Sequence, residues 1–410
     1  MHARGMGQYP GLSPPGGGGD EVRFGSSRKP RVRLPAWLRR PLAGRLTLGI
    51  VALATLAVAA FVVTTARQPG HHRPGVTGSG AFTGRPQAQP WWVAAGPVVA
   101  TDAGHPLLGV RGGWELFGTG PGVLIRIQWA AGRVTRTAIP VLQSSGPAFF
   151  VAGPHQAIIR PLDFVPGYLV PDDHLARTLP ATLGTAGQAF PGPRPGQVWV
   201  QSGFGAETVM SLVTMSGARI GPSIRLPADV GSGAIPDGRG YLAVERNGAA
   251  YDVGPGGLRR VAAGTLTAAG PSAWLVVQCP SARLCVDVVV NPATGTRRIL
   301  SGKAAQPGWP PGITSPDGTY AAVLGYGPDQ PAILHLINLS TGSDRRVAFA
   351  PAPQGSPGLA WSPDSRWLFA AIEDGALRAI DPRTGQVRGL GVPLPPVTYL
   401  AVRSTGSPPS

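Results

Sequence analysis

Lysine is almost absent from this chain: of its 36 basic residues only Lys29 and Lys303 are not arginine. Cysteine is limited to Cys279 and Cys285, and no Cys-x-x-Cys pair exists to support a redox centre. Residues 1–45 hold no cysteine and no histidine beyond His2, which argues against a zinc-bearing module there, since such sites need those ligands. Also missing are a Gly-x-Ser-x-Gly elbow and a Gly-x-x-x-x-Gly-Lys phosphate loop. No segment reads as a convincing amphipathic helix. These absences remove the hydrolases and nucleotide enzymes that announce themselves by motif.

What is abundant is glycine and proline, 60 and 46 residues in 410, beside a 43% hydrophobic content. That pairing suits many short strands punctuated by turns better than a low-complexity chain. The net charge of +16 is unevenly placed. Residues 1–45 carry nine Arg or Lys against Asp20 and Glu21, and the surplus over the remainder is thinly spread. Beyond residue 67 the basic residues group no further than pairs such as Arg259-Arg260, Arg297-Arg298 and Arg345-Arg346. A nucleic-acid binder clusters its charge and interleaves aromatics, so no nucleic-acid partner is expected.

Read in order, residues 1–45 form a Gly/Pro-rich, basic leader without apolar periodicity, expected to be disordered and cytoplasmic. Leu46 to Val63 is uncharged and the apolar segment extends to Ala66, long enough at about 1.5 Å per residue to cross a bilayer. Basic residues on its N-terminal side place that side in the cytoplasm. A cleaved signal peptide ending near Thr64-Thr65-Ala66, or a twin-arginine signal at Arg39-Arg40, is the competing reading. The long leader and long apolar run favour an uncleaved transmembrane helix over 46–66. Residues 67–90 read as a flexible linker, in which His71-His72 lack a third ligand.

Residues 91–403 are a series of strand-like runs with turns every 8–12 residues, and 404–410 form a tail. Two copies of one turn stand out: Ser315-Pro316-Asp317-Gly318 and Ser362-Pro363-Asp364-Ser365, 47 positions apart. Ile235-Pro236-Asp237-Gly238 is an altered third copy. A second turn, Asn/Asp-x-x-Thr-Gly, recurs as Asn291 to Thr294-Gly295, Asn338 to Thr341-Gly342 and Asp381 to Thr384-Gly385. The Asx side chain can cap its own turn, and glycine supplies the positive φ that closes it. Weaker equivalents lie at Gly256, Gly217 and Gly132, with Asp172-Asp173 filling the double interval between the last two. The spacing predicts an all-β, seven-bladed propeller of four-stranded antiparallel blades. Val397–Val402 reads as an extra strand closing the ring, with a partner expected near Trp91–Ala100.

These turns, strongest over 312–390, moderate over 230–300 and weak before that, resemble the TolB-like and WD-repeat-like β-propellers of bacterial envelopes. Leader, single helix, linker and propeller together resemble membrane-anchored actinobacterial proteins. The resemblance implies a scaffold whose repeated residues pack and turn, and it transfers no active site. No cysteine follows the apolar segment, so a lipid anchor is not implied.

Cys279 and Cys285 bracket five residues between two apolar runs and, in an oxidising compartment, should form a disulfide across a hairpin neck. Asp163 and Asp172-Asp173-His174 are the densest titratable group, and Glu373-Asp374 is a second acid pair; both read as solvated turns. His335, between Leu334 and Leu336, should point away from both. Among ten tryptophans, Trp114, Trp129, Trp199, Trp274, Trp361 and Trp367 should pack between blades, while Trp91-Trp92 and Trp309 fall at edges or loops. No catalytic, cofactor-binding or metal residue is assigned. The expected partners are the membrane and an envelope protein, peptide or glycan, with an enzyme using a central funnel as the alternative.

Overall fold

The structure is a computed structural model that describes residues 96–404, apart from 140–146, 162–166, 181–182, 184–186, 204–207, 228–229, 231–233, 282–283, 302–311, 328–329, 348–357 and 373–374. The expected leader, transmembrane helix and linker lie outside the described residues, as do Trp91, Trp92, Asp163, Trp309, Glu373 and Asp374. Among the described residues no helix is long and apolar enough to cross a membrane.

Strand β1 (Val98–Asp102) precedes a short 3-10 turn at Leu107–Gly109, then β2 (Trp114–Gly120), β3 (Val123–Gln128) and β4 (Arg133–Ala138). There follow β5 (Pro147–Ala152), β6 (Gln156–Pro161), β7 (Tyr168–Pro171) and β8 (Arg177–Thr178). Next come β9 (Gln188–Pro191), β10 (Gln197–Ser202), β11 (Val209–Thr214) and β12 (Ile224–Arg225). The middle of the chain gives β13 (Ile235–Pro236), β14 (Leu242–Arg246), β15 (Ala249–Gly254) and β16 (Gly257–Ala263). After these lie β17 (Thr265–Ala269), β18 (Trp274–Ser281), β19 (Leu284–Val290) and β20 (Arg297–Ile299). The last full sets are β21 (Gly312–Thr314), β22 (Tyr320–Gly327), β23 (Gln330–Asn338), β24 (Asp344–Val347), and β25 (Leu359–Trp361), β26 (Leu368–Ala371), β27 (Leu377–Ile380), β28 (Val387–Gly389). One further strand, β29 (Tyr399–Ser404), follows.

The fold is an all-β propeller. Among the described residues, hydrogen bonds gather the strands into six sheets, where the repeat count predicts seven blades. Four are four-stranded meanders: β5–β8, β9–β12, β13–β16 and β25–β28. One has five strands in the order β1-β4-β3-β2-β29. The remaining sheet has eight, because the meanders β17–β20 and β21–β24 are joined where β17 and β21 run parallel. Small residues allow that approach: Ala268 faces Gly312, and a side chain on Gly270, just past β17, would collide with Thr314 of β21.

Strand burial grades outward. Second strands such as Leu242-Ala-Val are wholly buried, whereas outer strands such as β20 and β28 are wholly exposed. Inner strands are covered on both faces by neighbouring sheets and so read as continuous apolar runs. The apolar core is correspondingly divided into clusters that each bridge consecutive four-strand sets, such as Phe117 and Leu124 with Ile159 and Val170. Between the first and last sets, Trp129 stacks on Phe369 at 4.8 Å and Trp114 tilts against both.

Closure uses a different partner from the one expected. β29 pairs antiparallel with β2, matching Glu115 to Arg403 and Thr119 to Tyr399. β1 lies at the opposite edge, on β4, with Val98 and Val99 exposed. The inner place needs a strand buried on its faces, and β2 offers one, Trp114 to Thr119 being buried throughout.

Candidate functional site

Among the described residues, the densest interior group of titratable side chains is built where β29 meets β2. Register places Glu115 directly opposite Arg403, and both are about 95% buried. Arg403 Nε donates to Glu115 Oε2 at 2.9 Å, and its Nη2 also binds that oxygen. The same guanidinium reaches the neighbouring meander: Nη1 donates to Asp172 Oδ1 at 2.9 Å and to the Gly153 carbonyl at 3.0 Å, and Nη2 to Asp172 Oδ2 at 2.8 Å. Its carbon sits 4.6 Å from the Phe117 ring centroid. From β3, Arg126 Nη2 donates to Glu115 Oε1 at 2.7 Å and Gln128 Nε2 to the same oxygen at 3.2 Å. Two carboxylates and two guanidiniums balance in charge.

Burial alone would lift the Glu115 carboxyl, but hydrogen bonds and charge from Arg126 and Arg403 outweigh it and hold the group below the usual carboxylate range. Burial likewise opposes the charge on Arg126, and Glu115 with Asp172 raises it instead. A carboxylate held ionised and filled with donors is a poor general acid or base. What the arrangement does well is hold three chain segments together.

A second group lies at the turn between β13 and β14. Asp237 is fully buried; its Oδ1 accepts from the Arg239 and Tyr241 N–H groups at 2.8 and 3.0 Å, and Arg239 closes on its Oδ2. Burial outweighs those partners and lifts the Asp237 carboxyl above its ordinary value. Arg239 and Arg259 both reach Asp252 Oδ2, at 2.9 and 2.8 Å.

The Ser-Pro-Asp turns lie between first and second strands. Ser315 Oγ accepts from Thr319 and Tyr320 N–H at 3.1 and 2.9 Å and donates to Asp317 Oδ1 at 2.6 Å. Ser362 repeats this with Asp364 and the Trp367 N–H. Pro316 and Pro363 sit between those partners, and Gly318 and Ser365 both take positive φ, 72° and 59°. The turns also touch each other: Asp317 N–H donates to Ser365 Oγ at 3.0 Å, and Ser272 Oγ to the Pro316 carbonyl at 2.7 Å. In the third copy Asp237, the aligned equivalent of Asp317, does the work of Ser315.

The Asx turns lie between third and fourth strands. Asn338 Oδ1 accepts from Ser340 and Thr341 N–H, Asn291 from Ala293 and Thr294, and Asp381 from Arg383. Gly295, Gly342 and Gly385 have φ of 74°, 75° and 73°. Thr294 and Thr384 Oγ1 each accept the N–H two residues on. A linked signal escaped the sequence reading: an arginine three residues beyond the turn glycine. Arg259 donates to the Pro292 carbonyl at 2.6 Å, Arg298 to those of Ser340 and Leu339, and Arg345 to that of Arg383 at 2.7 Å. Each reaches the turn of the following meander.

Cys279 and Cys285 are joined across the β18–β19 hairpin, their Cα atoms 4.0 Å apart. His335 Nδ1 pairs with Asp344 Oδ2 at 2.8 Å. Among the described residues of that group, Asp172 joins the interior cluster while Asp173 and His174 are exposed. All six tryptophans expected between blades are buried, Trp129 and Trp367 lying one residue outside β3 and β26. Trp199 Nε1 donates to the Gly240 carbonyl and Trp361 Nε1 to that of Ile313, each in an adjacent meander. Among the described residues no group of three or more His, Cys, Asp or Glu is placed to hold a metal.

No protein-family model and no curated protein matches the chain. Among solved structures it is similar to a functionally unknown protein from Desulfotomaculum acetoxidans, at 13% identity over 70% of this chain and 98% of that one, with a TM-score of 0.45. It is also similar to hydrazine synthase from Kuenenia stuttgartiensis, at 15% identity over 58% and 76%, TM-score 0.39. An oligogalacturonate lyase in complex with manganese matches at 12% over 68% and 93%, TM-score 0.40. At these distances the matches carry no argument about function.

Proposed function

We propose that the chain is a single-pass membrane protein whose extracytoplasmic, seven-bladed propeller is a non-enzymatic binding or scaffold module for an envelope protein, peptide or glycan. The count of seven treats β17–β20 and β21–β24 as adjacent blades and β29 with β2–β4 as the first. Apolar clusters between each consecutive pair of these sets support that count. The TolB-like, WD-repeat-like and actinobacterial affinities belong to the same reading, as does the uncleaved apolar segment 46–66.

The observation that carries the scaffold reading is the use made of interior carboxylates. Glu115, Asp172, Asp237 and Asp252 are bound by arginines that tie strands or turns together. Glu115 in particular, held ionised by the arginines around it, is a poor group for proton transfer. Affinity capture of the membrane-solubilised chain, read by mass spectrometry, should return a reproducible envelope partner. Turnover of an envelope substrate with no captured partner would replace this reading with an enzyme.

A further inference from the structure

The arginine pairs that look scattered in sequence are gathered by the fold onto the outermost strand of each meander. Three consecutive outer strands carry Arg259 and Arg260, Arg297 and Arg298, and Arg345 and Arg346. The outer strands β4, β8, β12 and β28 contribute five more, and all eleven are exposed. The same strands carry one acid, Asp344, bonded to His335, while from neighbouring strands Asp102 pairs with Arg133 and Asp252 with Arg259. Edge strands need charge of either sign to discourage pairing with another chain. That role does not require eleven of one sign.

Several of these guanidiniums are held in place without being neutralised. Arg298 and Arg345 rest on backbone carbonyls, and Arg297 donates to the Val261 carbonyl. Single aliphatic side chains stand among them: Ile299 beside Arg298, Val387 beside Arg388, and Val98 and Val99 on the strand paired with Arg136. No aromatic side chain is among the large exposed hydrophobics described. A single-stranded nucleic acid would call for stacking rings. Arginines interspersed with lone aliphatic side chains instead match the headgroup region of a bilayer, where charge meets phosphate and small apolar groups dip below it.

We infer that the outer rim of the propeller, centred on β16, β20 and β24, is an electrostatic docking surface for a membrane bearing anionic phospholipid headgroups. The inference rests on the anchored reading in one respect: if residues 67–90 act as the flexible linker of that reading, their r.m.s. reach would be about 25–30 Å. At that range weak contacts suffice, because tethering supplies the effective concentration.

The test uses the full chain reconstituted in neutral phosphatidylcholine nanodiscs and floated with vesicles of phosphatidylcholine, with or without phosphatidylglycerol. The wild-type chain should float only with the anionic vesicles and be released by high salt. Each surface arginine contributes about fivefold to such binding. The variant carrying Arg260→Gln, Arg297→Gln and Arg346→Gln should therefore bind about a hundredfold more weakly, and the matching lysine variant should keep binding. Equal flotation with neutral vesicles, or a glutamine variant as strong as wild type, overturns the proposal. So does a rim that ignores anionic vesicles but binds polyphosphate or RNA through these arginines. Should the glutamine variant melt early, the salt dependence of the lysine variant decides instead. A chain that does not insert into nanodiscs defeats the anchored reading alone, since flotation from amphipol still reports on the rim.

Discussion

Ser315 is fully buried, and its Oγ accepts the Tyr320 N–H and shares the Thr319 N–H with Asp317 Oδ1. Ser315→Ala should therefore cost about 1–3 kcal/mol in chemical denaturation, the penalty for stranding the Tyr320 N–H. Thr341 also caps a turn, accepting the Ser343 N–H at 3.3 Å, but it is exposed and water can replace it. Thr341→Ala should change stability by less than about 0.5 kcal/mol. The two substitutions look alike in sequence, and only burial separates them. Asn338 stands between these extremes, because its carboxamide oxygen holds two N–H groups at the surface.

At the scale of the element, β29 is held by a ladder and by one guanidinium. Arg403→Met should cost about 3–5 kcal/mol, since it leaves Glu115 and Asp172 buried with half their partners gone. Hydrogen exchange should locate the loss at β29 and β2 first. The pH dependence follows from the depressed Glu115 carboxyl. Its contribution is present above the unfolded-state value and lost as pH falls through the folded one. Glu115→Gln should therefore lower the melting temperature at neutral pH and converge with wild type in acid. A difference that widens in acid would refute the assignment.

Much of this element scale was legible beforehand. Pro-Asp and Thr-Gly turns mark strand ends because their backbone angles demand those residues, whatever surrounds them. An extra strand near Val397–Val402 was readable for the same local reason. Its partner was not, because pairing between residues nearly 300 positions apart depends on which edge is left unpaired. The Glu115, Arg126, Asp172 and Arg403 cluster was invisible for that reason too, with Asp172 looking like an ordinary solvated turn. The arginine three residues past Gly256, Gly295 and Gly342 could have been read as a pattern, yet its target lies in the next meander.

For the molecule as a whole, bonds that cross between meanders matter more than bonds within one. The disulfide closes only a short loop on one hairpin, so reduction should cost about 2 kcal/mol and leave the fold intact. Far-ultraviolet circular dichroism after reduction should be unchanged below the transition. By contrast, removing β29 leaves β2 without its partner strand, and the first and last meanders are then joined by the Val397 and Thr398 N–H bonds to Gly375 and Thr119 and by side chains such as Trp129 and Phe369. A chain ending before Tyr399 should melt broadly, with loss of the single cooperative transition.

Because β29 supplies the inner strand of the first sheet, that sheet is the last to be finished as the chain is made. Everything from β5 to β28 emerges while β2 still offers an unpaired inner edge. A nascent chain of this kind is exposed to wrong pairing for nearly its whole synthesis, and chaperone demand should peak just before Tyr399 appears.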